Sequence, residues 1–156
     1  KKMTRKVFFS FHFDNDAWRA GQVRNMGVVD DSEPVKGNRW EDVKSKSEKV
    51  IKEWIDDNLK DKSCLVVLIG EKTASRKWVQ YEIDKALEMG KGVCGVYIHK
   101  LKDQDENTSE KGNNPLPKFA PIFDSRYQSS SLVYDDIKEN IADLVEKAIK
   151  IRDEDK

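Results

Sequence analysis

The usual announcements of a chemistry are scarce in this chain. Its two cysteines and two histidines, Cys64, Cys94, His12 and His99, have no metal-ligand spacing, which argues against a zinc site or any other metal. Both cysteines fall in apolar, strand-like runs and read as buried, reduced thiols suited to a reducing compartment. Net charge is missing as well, because 29 Lys+Arg balance 29 Asp+Glu. No overall field is left to hold nucleic acid or an anionic membrane. No apolar run approaches a membrane span or a signal-peptide core, so a cytoplasmic protein is expected. The turn after Phe13 lacks the glycines, lysine and Ser/Thr of a phosphate-binding loop. The GxGxxG of dinucleotide-binding folds and the GxSxG of α/β-hydrolases are also absent. A phospho-acceptor receiver domain would need an aspartate ending its third strand. Asp14 and Asp16 could serve its first-strand acids, but the third run closes on Ile69-Gly70-Glu71.

What the chain does contain is an alternation of strand and helix signals. Lys6–Phe13 reads as an aromatic-rich strand. Asp14-Asn15-Asp16 then offers caps for a weakly amphipathic helix to about Met26. Gly27–Asp30 suits a short edge strand, and Asp31–Arg39 a loop built on Pro34, Gly37 and Asn38. A helix is expected from Trp40 to about Leu59, with Val43, Ser47, Val50, Ile51, Trp54 and Ile55 on one face. Cys64–Ile69 is a continuous apolar run, the mark of a strand covered on both faces. Gly92–Ile98 is another. Between Lys100 and Pro121 the chain is polar and irregular, a length that in compact domains is functional or disordered. A short strand near Tyr134 and a helix capped by Asp135 or Asp136, striped by Ile137, Ile141, Leu144, Val145, Ala148 and Ile149, complete the sequence. The expectation is one α/β domain over residues 1–156 with a flexible lead at 1–5. It has a central parallel sheet between helices on both faces, a three-layer flavodoxin-like sandwich in strand order 2-1-3-4-5.

The stretch from Ile69 to Ile83 concentrates the functional interest. Gly70 ends a buried strand, and Thr73 or Ser75 can cap the helix that follows. Val79, Ile83, Ala86 and Leu87 line that helix's buried face, with Glu82 on its flank. A carboxylate there is either a solvated boundary residue or a group held in the cleft at the carboxyl ends of the strands, where open α/β sheets bind ligands.

The residues also carry a resemblance. Val7–His12 (VFFSFH) is similar to the first-strand motif of TIR domains. Arg76–Ile83 (RKWVQYEI) resembles the block in which NAD-cleaving TIR domains hold their glutamate. Trp40-Glu41-Asp42, Cys64–Gly70, Gly95–His99 and Lys111–Pro115 extend the likeness to the bacterial TIR-like branch of Thoeris antiphage defence, the ThsB branch. The loop from Gly27 to Arg39 departs from animal and plant TIR domains, so no assembly mode carries over from them.

The resemblance implies a flavodoxin-like TIR fold and an enzyme cleaving the nicotinamide–ribose bond of NAD. NAD is then substrate, and no cofactor is required. A cyclised ADP-ribose would reach a downstream effector by diffusion, and self-association is possible within the family. Glu82 takes the catalytic place. Ser10, Phe11, His12, Asp14, Trp78, Tyr81, Asn113 and Asn114 are the substrate-binding candidates around it, each with an ordinary packing, capping or turn role as the alternative. Of Phe9 and Phe11, one is expected to point into the core and Phe11 toward the ligand. The other reading of the whole chain is a non-catalytic interaction module, in which Glu82 has no chemical task.

Overall fold

The computed structural model describes residues 5–29 and 45–154. Four strands, β1 (Val7–Ser10), β2 (Cys64–Ile69), β3 (Gly92–Tyr97) and β4 (Ile122–Phe123), form one sheet in the order β1-β2-β3-β4. Every pairing is parallel, with Val7 opposite Cys64, Cys64 opposite Gly92 and Gly95 opposite Ile122. Helices α1 (Phe13–Arg24) and α4 (Ser130–Glu154) cover one face. Helices α2 (Glu48–Leu59) and α3 (Lys77–Glu88) cover the other. The three-layer, flavodoxin-like arrangement expected from the strand–helix alternation is what the chain adopts. Its order matches the expected one with the edge strand left out.

Strand alternation divides the core. Val7, Phe9, Val66, Leu68, Cys94 and Val96 face α1 and α4, while Phe8, Leu65, Val67, Ile69 and Val93 face α2 and α3. Ile55, Leu59, Leu65, Leu68 and Ile137 are fully enclosed, each stabilising the fold by roughly 1.5–3 kcal/mol. Cys64 and Cys94 are buried free thiols whose sulfurs lie 3.8 Å apart. No helix among the described residues is long and apolar enough to cross a membrane.

Several boundaries differ from the sequence expectation, each for a local reason. The first helix begins at Phe13 rather than Asp16, because the His12 side chain accepts from the Asn15 backbone N–H and takes the cap. Gly27 adopts φ +67°, closing α1, and Val28 and Val29 lie in a bend packed on the core instead of an edge strand. Trp40 and Val43 lie outside the described residues; within them, α2 starts at Glu48 behind Ser47, whose Oγ accepts from Val50 N. Ser47 is thus a cap and not part of the buried face, and Val50 is 42% exposed. Ile51, Ile55 and Leu59 make the apolar seam.

At the far end, Tyr134 belongs to α4, which opens at Ser130 where the Ser130 hydroxyl donates to the Lys100 carbonyl. The last strand is instead Ile122–Phe123, beside Pro121, whose carbonyl accepts from Gly95 N.

The irregular segment between β3 and β4 is anchored throughout. The Arg19 guanidinium donates to the Leu101 and Asn107 carbonyls, both at 2.8 Å, and the Gln80 amide donates to the Pro115 carbonyl. Leu101 and Leu116 are buried beneath it. Gly112 passes so close to the Gly70 and Glu71 carbonyls that any side chain there would collide with backbone. The segment therefore lies directly over the turn that leads from β2 into α3.

Candidate functional site

Glu82 is decided by its surroundings. The helix α3 packs Val79, Ile83 and Ala86 into the core, and this register turns Glu82 inward toward the carboxyl end of β1. Leu87, expected on the same face, is 36% exposed. Ser10, the last residue of β1, has the parity of Phe8 and so faces α3. Its hydroxyl donates to Glu82 Oε1 at 2.5 Å. Glu82 is only 7% exposed and Ser10 1%. Among the described residues no cation pairs with this carboxyl. Burial pushes its pKa up to about 8, while the Ser10 hydrogen bond pulls the other way. The carboxyl is therefore neutral in much of the unliganded protein near pH 7, and a cation arriving beside it would favour its ionised form.

The turn before α3 is built differently from the sequence reading. Thr73 does not cap the helix. Its Oγ1 accepts from Gly70 N at 2.7 Å, bracing the exit of β2 within a single 3-10 turn over Thr73–Ser75. Ser75 donates to the Lys72 carbonyl. Arg76 is the residue at the N-cap, with no side-chain capping bond.

The remaining predicted residues separate into groups. His12 lies two residues beyond Ser10 and is 8% exposed. Burial first, then the Arg76 charge, holds its pKa below the ordinary imidazole value. Asp14 is exposed on the first turn of α1, which His12 rather than Asp14 caps. Phe11 packs on the opposite side of the sheet from Glu82, stacked on Phe13 at 6.2 Å with the Arg24 guanidinium over its ring. Phe9 shares that side, and Phe11, one residue past the end of β1, continues the same alternation. The expected division of labour between them fails on that parity.

Trp78 and Tyr81 pack edge-to-face at 5.7 Å along the α2 side of α3. Tyr81 donates its hydroxyl to Asp56 of α2 at 2.8 Å, and Lys52 sits over its ring. Its hydroxyl is thus committed to α2 and not to β1, the strand that bears Ser10. Asn113 and Asn114 are exposed, and the Asn114 side chain accepts from Leu116 N in a local turn. The structure joins Ser10 to Glu82, uses His12 as the cap of α1, and leaves Phe11, Tyr81 and Asn114 engaged elsewhere.

Asp16 and His99 are among the buried polar groups that were not anticipated. Asp16 is fully enclosed and pairs with Arg19 at 2.9 Å. The signal was present: α1 reads as weakly amphipathic because its buried side carries Asp16 and Arg19 beside Ala20 and Val23. His99, just past β3, is 7% exposed, edge-on to Tyr97, with Nδ1 lacking a hydrogen-bond partner. Among the described residues no group of His, Cys, Asp and Glu could hold a metal ion. A groove of about 460 Å³ opens at the opposite end of the sheet, between Leu87, Val93, Phe119 and Ile151, and none of the predicted site residues lines it.

A buried glutamate on the helix after the second paired strand, bonded to the serine that ends β1, is the geometry in which the family comparison takes its meaning. Residues 8–103 match the family model described as Thoeris protein ThsB, TIR-like domain. The chain belongs to this family. It is also 39% identical over 119 residues to a protein of Bacillus cereus (strain MSX-D12) named "Putative cyclic ADP-D-ribose synthase ThsB1". The matched region takes in 73% of this chain and 62% of that relative's length. The glutamate-bearing helix lies wholly inside the matched span.

Proposed function

We propose that this ThsB-type domain cleaves the bond between nicotinamide and ribose in NAD and closes the resulting ADP-ribose into a cyclic nucleotide. In the cell that nucleotide would serve as a diffusible signal to an effector in antiphage defence. The observation that carries the reading is the buried Ser10–Glu82 pair at the carboxyl end of the sheet. The name of the Bacillus cereus relative supports the product class.

The residues suit the reaction. Loss of neutral nicotinamide leaves positive charge on the ribose, and a carboxylate in a water-poor corner opposes that charge strongly. The substrate's nicotinamide ring is itself cationic, so its arrival shifts Glu82 toward the ionised form at the moment the charge is needed. Ser10 holds one oxygen of Glu82 in place, so that little reorganisation accompanies the reaction. Attack at the anomeric carbon by the substrate's own adenine, in place of water, gives the cyclic product where the bound dinucleotide is folded and water excluded.

The test is nicotinamide release and product mass after incubating the protein with NAD, against the Glu82→Gln variant. Wild type is expected to release nicotinamide and a product lighter than ADP-ribose by one water. Glu82→Gln should lose activity by roughly 100- to 1,000-fold with its melting temperature kept or raised. Turnover surviving in that folded variant would overturn the role of Glu82.

A further inference from the structure

The groove of about 460 Å³ lies at the amino end of the sheet, away from Ser10 and Glu82. Val93 near the start of β3, Leu87 near the end of α3, Ala148 and Ile151 of α4, and Phe119 from the segment before β4 give it apolar walls. Phe119 is 57% exposed, so a large aromatic ring borders the groove with much of its surface in water. The floor is drawn tight by a glycine: a Cβ at residue 92 would come to 3.0 Å from the Ala148 backbone.

Lys91 stands on the same lining. Its ammonium spends one of three N–H bonds on the Lys60 carbonyl, at 2.8 Å, and has no acidic partner among the described residues. Asp61, the acid that acts on it, is held by Lys62 at 2.9 Å and by Lys6 at 3.8 Å. Arg152, the second cation of the lining, is bonded to Asp153 and to the Ser63 carbonyl. Burial first, and then the Arg152 charge, hold the Lys91 pKa below the ordinary lysine value, as expected of a cation short of a counter-charge. Glu154 also lines the groove, and no ion pair joins it to Lys91 among the described residues.

We propose that this groove is a second binding site, for a small amphipathic monocarboxylate whose apolar body lies on Val93, Phe119 and Ile151 and whose carboxylate meets Lys91. Small-molecule sites are commonly concave, roughly 300–1,000 Å³ in volume, mostly apolar, and oriented by a few polar groups. The groove has that form, with one ammonium whose remaining donors are open. A single negative charge suits it better than a doubly charged phosphate. The helix α3 ends here, with Met89 as its C-cap, so the negative end of its dipole lies beside the groove together with Glu154. The site is independent of the NAD reading, because neither Ser10 nor Glu82 lines it.

Calorimetric titration with decanoate, decanol and decyl phosphate, each below the concentration at which it aggregates, tests the site. Decanoate should saturate one site, with decanol and decyl phosphate each about tenfold weaker. Lys91→Gln should lower the affinity for decanoate to that for decanol and leave decanol unchanged. Phe119→Glu, a change at an exposed position, should abolish decanoate binding with the melting temperature of the protein kept. Absence of a saturable decanoate site, equal binding of acid and alcohol, tighter binding of the phosphate, or decanoate binding unchanged in either variant would each overturn the proposal. Sedimentation of the unliganded protein addresses the other occupant. Association of copies that Phe119→Glu abolishes would make the groove an interface between copies of this chain, and the small-ligand site would be rejected.

Discussion

Asp16 and Glu82 are both buried carboxyls at the carboxyl end of one sheet, and they are treated in opposite ways. Asp16 meets a guanidinium, Arg19, at 2.9 Å, and that guanidinium also holds the Leu101 and Asn107 carbonyls. Among the described residues the Glu82 carboxyl has one hydrogen-bond partner, the hydroxyl of Ser10. Burial raises the pKa of both, but Arg19 opposes the rise at Asp16, whereas Glu82 is pushed up to about 8. A buried charge with a fixed counter-charge is architecture, here a strut that ties α1 to the segment lying over the site. A buried carboxyl without one has its ionisation held in reserve for a cation that comes from outside.

The comparison breaks most visibly if the strut is cut. Arg19→Met leaves Asp16 enclosed without its cation, and the protein should lose about 3–5 kcal/mol in urea unfolding. Adding Asp16→Asn to that variant should recover a substantial part of the loss, because the uncompensated carboxyl is then gone. A double variant no more stable than Arg19→Met would show that Arg19 acts through its carbonyl contacts alone.

The pH dependence of stability separates the two carboxyls next. A group that binds its proton more tightly folded than unfolded makes the native state the more protonated one. Unfolding free energy then falls as pH rises through the interval between the two pKa values. For Glu82 that interval runs from 4.5 to about 8, with a slope of at most about 1.4 kcal/mol per pH unit. The stability difference between Glu82→Gln and wild type should therefore grow in favour of the variant across this range and flatten above it. A difference that stays constant with pH would mean that Glu82 is already ionised in the unliganded fold.

Much of this arrangement was legible in the residues before any coordinates. The apolar runs Cys64–Ile69 and Gly92–Ile98 could only be central strands, and the stripe Val79, Ile83, Ala86 placed Glu82 beside the core, as found. The partner of Glu82 followed less directly. Ser10 was a candidate, but its facing depends on the parity of β1, which an aromatic run on both faces of a strand conceals. The strut was illegible for the opposite reason. Asp16 and Arg19 look like an ordinary solvated pair until the segment after β3 folds over them, and its anchors are mostly backbone carbonyls that no side-chain pattern encodes. The bend at Val28 and Val29, where an edge strand was expected, follows Gly27 at positive φ, a backbone angle that the residue types alone do not announce.

A smaller effect is expected at the hydroxyl that accompanies Glu82. Ser10→Ala removes the one hydrogen bond that favours the charged carboxylate, so less of Glu82 is ionised near pH 7. Turnover of NAD should fall by about tenfold there, close to 1.4 kcal/mol, and recover partly as pH rises. An activity loss that is the same at every pH would assign Ser10 to contact with the substrate instead of to the state of Glu82.

Tyr81 offers the smallest and most discriminating change. It lies one residue from Glu82, yet one step along a helix rotates a side chain by about 100°, and its hydroxyl is spent on Asp56 of α2. Burial, then that bond to Asp56, pushes its pKa up to about 12, so it stays a neutral donor throughout the physiological pH range. Tyr81→Phe keeps the ring against Trp78 and deletes only the link between α2 and α3, at a cost of roughly 0.5–1.5 kcal/mol in stability. Nicotinamide release should change less than twofold. If activity instead drops tenfold while stability is untouched, the ring or its hydroxyl reaches the nicotinamide when substrate is bound. The α3 side chains would then rearrange on binding, and the separation between a supporting face and a reacting face of this helix would hold only for the empty protein.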